Sequence, residues 1–592
     1  MKNETRQCQN CKQDFTIEPE DFNFYEKIKV PPPTWCPECR LIRRLTFIGD
    51  RFLYKDSCDK CGKEIVSLYR PDTSYIVYCN SCWWGDSWNQ LDYGRDYDFS
   101  KPFFEQFLNL QNEVPYQATD NRNCTDCDYC DTTIRSKNCR LTFGSFQSIN
   151  CYYCGNPIFS RDLLDSDVIV NADHTYETIY SNGVFNTKFT YFSNECLDSS
   201  FLFNCIGCTN CFGCVNLRNQ KYCIFNKQYT KEEYEKEMMK WDLGSYKTIQ
   251  EAQKKFLELY DKTPRRFAII INSKNVTGDD IKQTKNCQTC FSTLLGIENC
   301  KYVFLSGLLL KDSYDVILGG GSSELYYENS GGLHSQRCFF GRAPYDSRDL
   351  TYTEKMYNCS YCFGCTKLKN KKYCILNKQY GKVEYEELIP KIIKHMNEMP
   401  YIDSKGRIYK YGEYFPSEFS LWAYNETWAH KYFPLSKEEA LEKGFKWYDK
   451  KEKNYQITIK AENLPNHIKE VDDSILNEVI SCEHKDEDCK QECTEVFRIL
   501  PDELQFLRSA NIALPHLCPN CRYGERIKKK NPPKLWHRKC MCSGVESKDG
   551  VYKNTIKHIH GNSPCQNEFE TAISPERKEI VYCEKCYQAE FI

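Results

Sequence analysis

The sequence has no apolar run long enough to span a bilayer, and its opening stretch, MKNETRQCQN, lacks the hydrophobic core of a signal peptide. No membrane association is expected, and the expected location is cytoplasmic. No dinucleotide-binding loop, Walker loop, nucleophile elbow or HExxH pair occurs, and the ten histidines are scattered. The familiar organising centres of catalysis are therefore missing. Asp162 with Asp165, and Asp312 with Asp315, have the spacing of acid–base pairs on a repeat wall, but carboxylates at chain corners are ordinary, and solvated turn residues are expected there. The chain reads as a non-enzyme.

Wholesale disorder is also excluded. With 41% hydrophobic and 14% aromatic residues there is ample material for cores, and 592 residues exceed what one core organises, so several domains are expected.

Cysteine is abundant, with 38 in the chain. In a reducing compartment that number points to metal ligation rather than a disulfide framework. The formal charge of −2 counts every thiol as neutral. A zinc ion held by four thiolates carries two negative charges, so several such sites would make the chain distinctly acidic.

The first ninety residues hold four knuckles in a row: Cys8-Gln-Asn-Cys11, Cys36-Pro-Glu-Cys39, Cys58-Asp-Lys-Cys61 and Cys79-Asn-Ser-Cys82. A two-residue gap lets a tight turn aim two sulfurs and nearby amides at one ion, and two such turns complete a closed tetrahedral site. Moving 482 positions along recovers the plan, with Cys11, Cys36, Cys39 and Cys58 answered by Cys493, Cys518, Cys521 and Cys540. Phe15, Arg40 and Arg44 likewise reappear as Phe497, Arg522 and Arg526. After an insertion of 22 residues, Cys61, Cys79 and Cys82 are mirrored by Cys565, Cys583 and Cys586. Four zinc (Zn2+) sites follow: Cys8/Cys11/Cys36/Cys39, Cys58/Cys61/Cys79/Cys82, Cys489/Cys493/Cys518/Cys521 and Cys540/Cys565/Cys583/Cys586. The carboxy-terminal copy is irregular. Its first knuckle, Cys489-Lys-Gln-Glu-Cys493, is one residue too long, with Cys482 and His484 as rival ligands. The insertion holds Cys542, whose role stays open, and His558 and His560, for which a surface loop position is expected because the duplicated cysteines already complete a tetrahedral set.

The stretch CQNCKQDFTIEPEDFNFYEKIKVPPPTWCPECR, with its knuckle, Phe, acidic-aromatic run, Pro and CxxCR in order, resembles the treble-clef-like zinc-ribbon family of bacterial proteins. The likeness covers about 35 residues at each end, and the whole chain resembles large Cys-rich bacterial proteins that carry this module. The resemblance implies zinc binding and a small β-hairpin followed by a turn or helix; it implies no reaction.

Between the ends the chain breaks into units of eleven or twelve residues that tend to begin with Ser or Asn, such as SKNCRLTFGSFQ and SINCYYCGNPIF. The short period predicts a β-solenoid with Ser and Asn at tight corners and Cys, Leu, Ile and Phe stacked inward. The block CFGCVNLRNQKYCIFNKQY at 211–229 returns as CFGCTKLKNKKYCILNKQY at 362–380, with fourteen of nineteen positions identical. It reads as the terminal coil and cap of two homologous solenoids, because an open end would expose strand edges. The cysteines at intervals of three (Cys205, Cys208, Cys211, Cys214; Cys359, Cys362, Cys365) are expected to be buried thiols, with extra zinc as the alternative; an iron–sulfur cluster is not expected.

The fold class is thus mainly β and multidomain: a double zinc-ribbon module over 1–95, a first solenoid over 124–229, a helical linker over 230–274, a second solenoid over 275–380, a mixed connector over 381–480 and a second double module over 481–592. Thr230 with Glu233 and Ser436 with Glu439 have capping-box spacing, and Gly444 is placed to stop a short helix. The expected function is a non-catalytic zinc-binding scaffold with a protein partner. The alternative is nucleic-acid or ribonucleoprotein binding through basic segments 40–51 and 522–539, using Arg40, Arg43, Arg44, Arg526, Lys528, Lys529 and Lys530 on phosphates.

Overall fold

A computed structural model describes residues 2–294, 296–450, 455–484, 489 and 492–592. The chain is mainly β, with two parallel β-solenoids between cysteine-rich modules at both ends. Among the described residues no helix is long and apolar enough to cross a membrane.

The first solenoid runs at twelve residues per coil, with Lys137 beside Ile149, Ile149 beside Arg161 and Arg161 beside Asp173. Every third residue from Asn123 to Phe225 has a positive φ, so each coil turns four corners. A left-handed residue other than glycine costs roughly 1–2 kcal/mol, and the stacked backbone ladder offsets it. Asn residues take many of these corners and bridge successive coils, as in Asn138 Nδ2 to Asn150 Oδ1 at 2.8 Å and Asn150 Nδ2 to Asp162 Oδ1 at 2.7 Å.

The residue after each corner points inward, which makes the interior period three. Serine belongs there rather than at the corners: Ser148 Oγ donates to Phe146 O at 3.1 Å and accepts from Ser160 N at 3.3 Å, one coil on. Cysteine takes the same place, since Cys205 Sγ donates to Phe203 O and to Cys214 O, both at 3.5 Å. Three-residue sides enclose a narrow bore. The interior cluster of the first solenoid is accordingly Cys, Leu, Ile, Val and Ala, whereas Phe201, Phe203 and Phe212, expected inside, face outward and pack near helix Tyr246–Lys262.

The duplicated block closes each solenoid. The last coil folds back as a hairpin, Lys221–Ile224 on Lys227–Gln228 and Lys372–Ile375 on Lys378–Gln379. The asparagine of each NKQY then imitates the missing next coil. Asn226 accepts from Val215 N and donates to Val215 O, both at 2.9 Å, and Asn377 does the same to Thr366.

Each capping box forms. Thr230 Oγ1 accepts from Glu233 N at 3.2 Å at the start of helix Lys231–Met238, and Ser436 Oγ accepts from Glu439 N at 3.2 Å at helix Lys437–Glu442. Gly444 follows the latter with φ +82°, a left-handed stop.

Candidate metal centres

Four cysteine quartets are built on one local plan. In each, an antiparallel hairpin leads directly into the first cysteine: Glu4–Gln7 with Asp14–Ile17, Tyr54–Ser57 with Glu64–Ser67, Ile480–Ser481 with Val496–Phe497, and Trp536–Lys539 with Glu568–Thr571. In each, the third cysteine is the N-cap of a helix: Cys36 before Pro37–Leu45, Cys79 before Asn80–Trp84, Cys518 before Pro519–Ile527 and Cys583 before Glu584–Phe591. The amide of that third residue donates to the first sulfur at 3.2 Å, in Cys36 to Cys8, Cys79 to Cys58, Cys518 to Cys482 and Cys583 to Cys540. Amide donors and a helix N-terminus both favour thiolate over thiol. For Cys58, burial pushes the thiol up, but the amides of Cys79, Cys61 and Lys60 outweigh it and hold the group down to about 7.

The sulfurs of Cys8, Cys11, Cys36 and Cys39 lie within 4.8 Å of one another, as do those of Cys58, Cys61, Cys79 and Cys82 and those of Cys540, Cys565, Cys583 and Cys586. Zn–S bonds of about 2.3 Å in a tetrahedron set sulfurs ~3.8 Å apart. Cys11 to Cys36 at 3.7 Å, Cys61 to Cys79 at 3.9 Å and Cys565 to Cys583 at 3.9 Å match that edge. The donor sets therefore fit zinc.

The remaining quartet differs from the expected one. Cys482, not Cys489, joins Cys493, Cys518 and Cys521. Cys482 directly follows strand Ile480–Ser481, as Cys8 follows Glu4–Gln7, and Cys482 N donates to Glu495 O as Cys8 N donates to Gln13 O. The knuckle is thus opened by an insertion after its first cysteine, which spacing alone assigns to the wrong residue. Cys489 sits beside the cluster, 3.6 Å from Cys521 Sγ and 4.0 Å from His484 Nδ1. Residues 485–488 and 490–491, including two within the expected knuckle, lie outside the described residues.

The helix that leaves the first quartet of each module carries the basic residues, and it turns them inward. On Pro37–Leu45 the spacing 40, 43, 44 puts three guanidinium groups on one face. Arg40 meets Asp315 at 2.9 Å; Arg43 meets Glu328 at 3.0 Å and Glu413 at 3.1 Å; Arg44 meets Asp315 at 2.9 Å and Glu328 at 3.1 Å. Asp315 and Glu328 stand on successive coils of the second solenoid. At the other end Arg522 meets Asp165 at 3.1 Å and Glu503 at 2.8 Å, and Arg526 meets Asp165 at 3.0 Å, Asp167 at 3.0 Å and Glu177 at 3.1 Å. Asp165 and Glu177 stand on successive coils of the first solenoid. Through these arginine helices the amino-terminal module locks onto the later solenoid and the carboxy-terminal module onto the earlier one, with lesser contacts the other way, Arg51 to Asp167 and Asn531 to Asp279.

Arg40, Arg43, Arg44 and Arg526, expected on phosphates, are buried in these ion pairs. Lys530 donates to Tyr180 Oη, Lys529 lies over the Tyr191 ring at 5.0 Å, and the exposed Lys528 pairs with Glu525 at 2.7 Å. Asp165 and Asp315 are correspondingly not solvated turn residues; both are fully buried. The pattern was visible as duplicated arginines, but the acids that receive them are distant in sequence.

The solenoid cysteines have an account that needs no metal. Cys208, Cys211 and Cys214 donate to the carbonyls of Ile206, Thr209 and Phe212 at 3.6, 3.6 and 3.3 Å, and Cys359, Cys362 and Cys365 to those of Tyr357, Ser360 and Phe363 at 3.3, 3.5 and 3.4 Å. Their spacing of three is the interior period.

No family model and no curated protein matches the chain. Among solved structures, one described as an acetyltransferase from Desulfovibrio desulfuricans G20 aligns over 49% of this chain and 74% of that chain at 10% identity, with a TM-score of 0.09, which carries no argument about this protein. What stands is a mainly β chain with two solenoids and four-cysteine clusters at both ends, fit for metal binding.

Proposed function

We propose that the chain is a non-catalytic scaffold whose end modules are zinc ribbons, the first ion of each module fixing a helix that clamps one solenoid. The observation that carries this reading is the common geometry of the four quartets: hairpin, amide-to-sulfur bond and helix N-cap recur each time. Closed sets of four protein ligands belong to structural zinc, because a catalytic ion keeps a position open. A scaffold needs a surface for its client. The wall of the first solenoid leaves Ile149, Phe185 and Leu197 exposed in one column of the strand register, with the Arg161–Asp173 ion pair between Ile149 and Phe185, and a protein partner is proposed to bind there. Elemental analysis of the purified protein, with free thiols counted in parallel, tests the metal reading. At least four zinc ions per chain are expected; two or fewer with intact thiols would overturn it.

A further inference from the structure

The 22-residue insertion between Cys540 and Cys565 was expected to hold His558 and His560 at surface loop positions. Instead it folds back onto the quartet it interrupts. His558 and Cys542 are buried, and Cys542 Sγ, one ring nitrogen each of His558 and His560, and Cys586 Sγ lie within 4.8 Å of one another. His558 Nδ1 is 3.6 Å from Cys542 Sγ, and His560 Nε2 is 3.3 Å from Cys586 Sγ. Zinc bonds of about 2.3 Å to sulfur and 2.0–2.1 Å to nitrogen give tetrahedral N···S edges of ~3.6 Å.

The far side of each ring is also arranged for ligation. A ligating histidine gives its second N–H to a carboxylate or carbonyl, which fixes the tautomer and turns the bare nitrogen toward the ion. His558 Nε2 is 3.2 Å from Glu590 Oε2, with both side chains fully buried, and His560 Nδ1 is 2.6 Å from Ser563 O. Glu590 is held in turn by Tyr552 Oη at 2.9 Å and Thr555 N at 2.7 Å. A buried ion pair would explain His558 against Glu590. It would not explain why the opposite nitrogens of two rings both face cysteine sulfur.

We propose that Cys542, His558, His560 and Cys586 hold a further zinc ion, with Cys586 bridging it to the ion held by Cys540, Cys565 and Cys583. Three of the four ligands come from the insertion, so the binuclear centre belongs to the carboxy-terminal module alone. The proposal rests on the zinc reading of the quartets but fails separately from it.

The test uses the full chain, loaded with zinc for counting and with 113Cd for NMR. Wild type is expected to bind one ion more than His558→Ala or His560→Ala, while His560→Cys, which restores a ligand, keeps the higher count. The 113Cd spectrum is expected to show four ions with four sulfur ligands, one for each quartet, and one with two sulfurs and two nitrogens, the last split by scalar coupling through Cys586 to the ion of Cys540, Cys565 and Cys583. Equal metal counts in wild type and both alanine variants, or no mixed sulfur–nitrogen resonance, would overturn the further site. A mixed resonance without the coupling would overturn the bridge. Empty quartets at the amino terminus would sink the underlying zinc reading instead.

Discussion

The amino-terminal module keeps every knuckle at two intervening residues, whereas the carboxy-terminal module opens two of its knuckles with insertions, yet both arrive at the same sulfur geometry. Spacing is therefore not what defines these sites. The hairpin that delivers the first cysteine and the helix that begins at the third define them, and a loop of any length can be carried between the first and second ligands once those two elements are in place. Both modules also make the same kind of contact. Each points its arginines into a solenoid at the far end of the sequence, so the ends of the chain cross over and tie its middle together.

The largest effect that would break the equivalence comes from the ligands. Cys482→Ser is expected to remove one zinc ion and unfold the carboxy-terminal module, a loss of ~5 kcal/mol or more given what structural zinc contributes to small domains; metal analysis and thermal melting check it. Cys489→Ser is expected to retain that ion. The reverse order would show that the spacing, not the hairpin, selects the ligand.

Next in size is the arginine lock. Arg44→Ala and Arg526→Ala each leave buried acids without their cation, and each is expected to cost about 3–5 kcal/mol in chemical denaturation. Unequal losses would mean that the two clamps are not mechanical equivalents.

A smaller effect compares the solenoids. Cys211→Ala and Cys362→Ala are each expected to lower stability by about 1–3 kcal/mol through lost packing, with no change in metal content by elemental analysis. Lys528→Ala should change stability least, by ~0–1 kcal/mol, since its ion pair is exposed; a large loss would show that the lock extends beyond the buried arginines.

The quartets and the solenoids were legible because each leaves a local record: cysteine pairs for one, a twelve-residue rhythm for the other. The cap was legible as a repeated block, although the asparagine that closes the coil gave no sign of its role. Cys482 was misread because the hairpin that identifies it is only two residues per strand. The basic segments were misread for a different reason. A run of arginine looks the same whether it meets phosphate or buried carboxylate, and the acids that decide the matter, Asp315, Glu328, Asp165 and Glu177, lie hundreds of residues away and look like ordinary corners. A complete tetrahedral set argues against His558 and His560 as ligands, and nothing in the spacing shows that the insertion folds back to bring them to Cys586.

The crossed clamp is the central claim, and hydrogen exchange on single-site variants tests it most directly. In Cys39→Ser the first quartet of the amino-terminal module would lose its ion, and the account predicts lost protection at strands Tyr314–Ile317 and Glu324–Ser330 of the second solenoid, with Arg161–Leu164 and Asp173–Tyr176 of the first unchanged. Cys521→Ser should do the converse. Loss confined to the mutated module, or spread equally over both solenoids in both variants, would contradict the account.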